Sequence, residues 1–228
     1  MPLKDTLAAL EKAGTAQNRK IYGRHGVAGP QYGVSFAVLK KLKKTIGTDQ
    51  QLAVSLWATG NHDARILATM VADPAAFGVR ELDARVRELD NYVVTDAFSA
   101  VVAGNPHARG RVDAWRDRKA EFVSACAFNV LAMLALHEGG GPDEAWLRGQ
   151  LAVIEAEIHT RPNRTRHSMN QALIAIGARG GALEKAAVAA ARRIGKVEVD
   201  HGRTGCRTPD AVAYIARTRA HRKAKAAK

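Results

Sequence analysis

Apolar residues along this chain return every three or four positions, the repeat that lines one face of an α-helix. Leu39, Leu42 and Ile46 form one such stripe, while Lys40, Lys41, Lys43 and Lys44 fill the rest of that helix. Ile66, Leu67, Met70 and Val71 repeat the pattern, as do Leu147, Leu151, Ile154 and Ile158, then Met169, Ala172, Leu173 and Ile176. No alternating, strand-like run competes; Val197-Glu198-Val199 is too short. Breakers follow at short intervals: Gly47-Thr48-Asp49, Gly60-Asn61, Asp73-Pro74, Gly104-Asn105-Pro106, Gly139-Gly140-Gly141-Pro142, Arg161-Pro162-Asn163 and Gly180-Gly181. Several join a C-terminal glycine to the Thr, Asn or Asp cap of the next helix. Helix pairs therefore recur roughly every 35–40 residues, a spacing shared with HEAT-type units. The pattern predicts an all-α protein: an α-solenoid of HEAT-like helical repeats, curved, with one helix of each pair on a concave face.

On this reading residues 1–200 form a single helical repeat domain, and 201–228 add a loop, a final helix and a basic tail. In the loop from Asp200 to Asp210, Thr208 is the expected N-cap and Pro209 the first helical residue. Gly202 and Gly205 would let backbone amides approach a phosphate, but the loop lacks the P-loop pattern and no function is assigned to it.

One carboxylate breaks the apolar pattern. Asp96 falls in the middle of Tyr92-Val93-Val94-Thr95-Asp96-Ala97-Phe98-Ser99-Ala100-Val101-Val102, with Asp90 or Asn91 already available as the cap. Residues four apart share a helical face, so Tyr92 and Asp96 point the same way. A charge on a mostly apolar helix is costly unless paired or used, which marks Asp96 as a candidate functional group. The alternative is an ion pair with an arginine of the adjacent helix.

Charge narrows the partners. The 228 residues carry 35 Lys and Arg against 22 Asp and Glu, a formal net charge of +13. Such an excess favours a polyanion, of which nucleic acid is the commonest. Arg109, Arg111, Arg116, Arg118 and Lys119 cluster in one helix pair, and Arg161, Arg164, Arg166 and His167 open another helix. The tail from Arg217 to Lys228 holds six basic residues and no acid; its end is expected to be disordered and to attract phosphate non-specifically. No long apolar run, signal peptide or lipidation motif points to a membrane. Cys126 and Cys206 read as unpaired thiols, in keeping with a reducing cytoplasm. His201, His221 and Cys206 lack metal-ligand spacing, so neither metal nor cofactor is expected.

The stretch Leu52-Ala53, then Leu56-Trp57-Ala58-Thr59-Gly60-Asn61-His62-Asp63-Ala64-Arg65, then Leu67-Ala68, resembles the signature of the DNA alkylation repair proteins. These are the AlkD-like family of HEAT-repeat DNA glycosylases. Asn91-Tyr92-Val93-Val94-Thr95-Asp96 is similar to the family's aromatic-x-x-x-aspartate segment, and the likeness continues at 123–127 and 170–177, covering roughly residues 30 to 195. The resemblance implies double-stranded DNA as partner and alkylated purines as targets. Alkylation at N3 or N7 makes the base cationic and its glycosidic bond labile, so the enzyme's contribution is negative charge near the developing oxocarbenium centre. Asp96 would be that electrostatic stabiliser and would orient water; Tyr92 would pack against sugar or cationic base. Arg65, Arg109, Arg111, Lys119, Arg161, Arg164 and Arg166 are the candidate phosphate contacts.

Two departures accompany the resemblance. Tyr92 stands where active members carry tryptophan, and the segment that supplies their paired arginines reads Phe122-Val123-Ser124-Ala125-Cys126-Ala127. Losing such an arginine removes a charge-assisted contact of about 1.5–3 kcal/mol. Excision of N3- or N7-alkylated purines and non-catalytic binding of damaged or distorted DNA therefore both stand; a protein-interaction scaffold fits the charge less well. Trp57 reads as core, Asn61 as an N-cap, and Arg65 as a partner for Asp63, a neighbouring helix or phosphate. A monomer, working in the bacterial cytoplasm at the nucleoid, is the expected form.

Overall fold

In the computed structural model, which describes residues 1–137 and 141–226, every regular element is a helix and no strand occurs among the described residues. Gly139 and Gly140 of the glycine breaker and Lys228 of the tail lie outside the described residues. The chain groups into two compact units. The first, Met1–Pro106 with Gly202–Thr204, holds α1 (Leu3–Ala13), α2 (Ala16–Arg24), α3 (Phe36–Ile46), α4 (Gln50–Ala58), α5 (His62–Val71), α6 (Val79–Val86) and α7 (Tyr92–Ala103). The second, His107–His201 with the chain from Gly205 onward, holds α8 (Ala108–Trp115), α9 (Glu121–Leu136), α10 (Glu144–Glu157), α11 (Asn163–Gly177), α12 (Gly181–Ile194) and α13 (Ala211–Ala226).

Capping explains where these helices begin. The side chains of Thr15, Ser35, Asp49, Asn61, Asn91 and Asp143 each accept a backbone N–H of the first turn. Each such cap contributes about 1 kcal/mol. In the first unit α5 packs against α3, α4 and α7, around Leu39, Leu56, Ile66, Leu67 and Phe98. Trp57 is core, as expected, with its ring 5.4 Å from that of Phe98. In the second unit α9 and α11 form the most extensive helix contact, and α10 and α12 continue the packing around Leu147, Ile154, Met169, Leu173 and Ile176. Each apolar stripe read from the sequence supplies buried side chains to these cores.

The C-terminal segment differs from expectation. Asp210, not Thr208, accepts the N–H of Ala213 at 2.7 Å and caps α13. Thr208 instead shares a 3.0 Å hydrogen bond with His201 Nε2, and Pro209 precedes the helix. The tail is helical as far as Ala226, and the end expected to be disordered lies outside the described residues. Its Ala, Arg and Lys residues are strong helix formers. The helix is anchored through Ile215, which is buried against Gly177 of α11: a Cβ at Gly177 would lie 2.7 Å from the Ile215 side chain. A side chain at Gly177 would force Ile215 to shift.

Candidate nucleic-acid interface

The His62-Asp63-Ala64-Arg65 segment opens α5, with Asn61 Oδ1 accepting the N–H groups of Asp63 and Ala64. Asp63 is fully buried and accepts three backbone N–H groups, from Tyr32, Gly33 and Val34, at 2.7, 3.0 and 2.8 Å. The turn that aims three amides at one carboxylate needs the positive φ of Gly33, +79°. Asp63 thus fastens the 30–34 segment onto α5, a role that sequence spacing did not suggest.

Arg65 reaches the turn that follows α6 rather than a neighbouring helix. It meets Glu88 at 3.2 Å, and its guanidinium lies 5.2 Å from the Trp57 ring centre. Trp57 Nε1 donates to the same Glu88 carboxylate at 2.8 Å. His62 is buried edge-on to Tyr22, and burial lowers its pKa, which keeps the ring neutral. The Tyr22 hydroxyl, donating to the Val34 carbonyl, is pushed up to about 12 by burial and then by Asp63.

On α7, Asn91 is the cap and accepts from Val93 and Val94 at 3.0 and 3.1 Å. One face carries Val94, Thr95, Phe98, Ser99, Val101 and Val102 into the core. The hydroxyls of Thr95 and Ser99 donate back to Asn91 and Thr95 carbonyls, so this face buries no hydroxyl unsatisfied. Asp96 and Ala100 occupy the opposite, exposed face. Asp96 is the one charge on the helix and lies on its exposed side, where periodicity placed it. One turn earlier, half-buried Tyr92 shares a hydrogen bond with His25 Nδ1, the two rings 5.8 Å apart at 60°. His25 precedes Tyr92 by 67 residues, and no sequence signal joins them.

The candidate cations of the second unit fall into two groups. On α8, Arg109 pairs with Asp143 at 2.8 Å and lies 5.0 Å over the Trp146 ring, while Arg111 lies 5.9 Å over Trp115. The backbone N–H of Trp146, and then Arg109, hold the Asp143 carboxyl below its ordinary value. Lys119, in the turn that follows, is exposed. Around the start of α11, Arg161 bridges Glu157 at 3.0 Å and Asp117 at 3.7 Å and is only 12% exposed. Arg164 donates its backbone N–H to Glu121 at 2.6 Å, and Arg166 lies 3.4 Å from Asn163 Oδ1. The 123–127 segment of α9 is sealed: Ser124, Cys126 and Ala127 have no exposure, and Ser124 hydrogen-bonds Thr165 of α11 at 2.7 Å. Among the described residues no group of three or more His, Cys, Asp or Glu is arranged to hold a metal ion, and no helix is long and apolar enough to cross a membrane.

The fold and these signatures define an all-helical protein of the HEAT-like repeat kind. The chain belongs to the DNA alkylation repair enzyme family, whose model matches residues 3–215. It is similar to an uncharacterized protein of Listeria innocua, 27% identical over 95% of this chain and 96% of that protein. A second uncharacterized protein, from Listeria monocytogenes, matches at the same identity and coverage. Among solved structures, one described as a new family of proteins related to the HEAT-like repeat DNA glycosylases, with affinity for branched DNA structures, superposes with a TM-score of 0.86. It is 26% identical and covers 95% of this chain and 93% of its own.

Proposed function

We propose that this protein binds double-stranded DNA at branched or distorted sites and serves alkylation repair by recognition rather than by base excision. The observation that carries the reading is the sealed α9 segment. Where resemblance to active members calls for paired arginines, Val123 to Ala127 are buried against α11, leaving no room for a guanidinium. The tethering of Tyr92 to His25 points the same way, because a ring fixed by its hydroxyl is less able to turn onto a sugar or base. The likeness to a protein family with affinity for branched DNA supports the choice of target.

Of the seven candidate phosphate contacts, Lys119 and Arg109 are exposed, and Arg111, Arg164 and Arg166 are half-buried residues of the same unit. Arg65 and Arg161 are held in ion pairs and serve mainly to pack. In this reading the protein acts as a monomer in the bacterial cytoplasm, at the nucleoid.

Excision remains the second reading because Asp96 is an exposed carboxylate on a rigid helix one turn from an aromatic ring. It would stabilise positive charge at the sugar as a cationic purine leaves. One experiment separates the two. Fluorescence anisotropy compares a four-way junction with linear duplex across a salt series, while release of 7-methylguanine from methylated duplex is followed for wild type and Asp96→Asn. Junction preference without base release supports recognition. Base release by wild type, lost in Asp96→Asn, replaces it with a glycosylase.

A further inference from the structure

In the second unit a cavity of about 900 Å³ opens between the end of α12, the stretches 195–201 and 206–210, and the first turn of α13. That volume suits a small-molecule site. Val197, Val199, Pro209 and Val212 provide apolar wall. Asn170 of α11 also lines the cavity and is 1% exposed. Its Nδ2 donates to the Pro209 carbonyl at 3.0 Å. A carbonyl only accepts, so the amide orientation is fixed and Oδ1 is left buried with no donor. A buried acceptor is rarely left unmet, and what this one lacks is an N–H.

The charges at the rim are of the opposite kind. Lys196 is paired with Glu198 at 2.5 Å, and Asp210 is engaged by the Ala213 N–H. Arg192 and Arg207 are exposed and, among the described residues, have no ion-pair partner. Guanidinium forks match phosphate oxygens bidentately. The segment that carries Arg207 is held in place by the His201–Thr208 hydrogen bond and by the edge contact of His201 with His167, 5.5 Å between ring centres.

A ligand that fits must combine a flat, largely apolar body, an N–H donor and a phosphate. We propose that this cavity binds one unstacked nucleotide, its base against Val197, Val199 and Val212 with an N–H donated to Asn170 Oδ1, and its phosphate on Arg192 and Arg207. The nucleotide comes either from solution or from a single-stranded flap at a DNA branch. Only the second source depends on the DNA-binding reading above.

Calorimetric titration of the full-length protein with dAMP, and separately with inorganic phosphate, tests the first source. Anisotropy on a junction with flush ends and one carrying a single-stranded flap tests the second. Both are run on wild type, on Arg192→Ala with Arg207→Ala, and on Val199→Trp, which fills the cavity from its rim. The expected result is dAMP or flap binding tighter than phosphate or flush junction, weakened about tenfold or more in both variants at unchanged melting temperature. Loss confined to dAMP assigns a free nucleotide, and loss confined to the flap assigns a strand end. Equal affinities in wild type and variants, or binding of neither ligand by wild type, overturn the proposal. If wild type ignores junctions yet takes dAMP, the DNA-binding reading falls and the nucleotide site stands.

Discussion

Helices α7 and α9 look alike in the sequence and differ in what they offer. Each is rich in Ala and aliphatic residues with a few small polar ones. In α7 the hydroxyls turn inward and Asp96 looks out with Ala100. In α9 Ser124 and the residues around it are enclosed, and the hydroxyl is spent joining α9 to α11. Apolar composition therefore does not separate a helix that presents a face from one that is encased. How extensively the neighbouring helices cover each one decides, and one charge on α7 marks the side left open.

The sharpest way to break this contrast is Cys126→Arg, which restores a basic residue to α9. With no exposure at Cys126, the buried charge should cost about 4 kcal/mol or more and shift the denaturant midpoint severely, or prevent folding. A soluble variant with wild-type stability would show that α9 can open. Next comes Asp63→Ala in the first unit. Three amides lose their acceptor at once, and a loss of about 3 kcal/mol is expected by the same measurement.

A smaller effect follows from pH. Burial, then Arg164 and His201, push His167 down to about 4 from 6.5. Between those values the unfolded chain binds a proton that the folded chain refuses. Stability is therefore full above about pH 6.5 and falls as pH drops towards 4, by on the order of 2 kcal/mol once solvent screening is allowed for. Denaturant titrations at pH 7, 5.5 and 4.5 should show this slope, and His167→Gln should flatten it, leaving the share due to His62 and His201. Smallest of all is Asp96→Asn. An exposed site predicts a stability change within about 0.5 kcal/mol, with junction affinity unchanged or raised as a negative charge is removed. A large destabilisation would instead assign Asp96 a structural pairing.

Much of the fold was legible because it is local. The stripes at Leu39, Ile66, Leu147 and Met169, the caps at Asn61 and Asn91, and the glycine breaks all act within one helical turn or its end. The site was less so. Asp96 and Tyr92 could be placed on one helix, but the tether from His25 and the amides that bind Asp63 cross 67 and about 30 residues of chain through a fold. Arg65 shows the same limit: its family motif was visible, whereas its partner Glu88 was not. Thr208 was misread as a cap because Ser, Thr and Asp are near-equal candidates, and the choice of Asp210 rests on where His201 draws the Thr208 hydroxyl.

The close seat of α13 on Gly177 bears on how the protein responds to proteases. The largely exposed 202–207 stretch, with glycines at 202 and 205, is the kind of segment that proteases nick. A single cut there would sever the peptide bond while Ile215 stayed lodged against α11. The nicked molecule should migrate as one species on a native gel and part into a long and a short fragment only in denaturant.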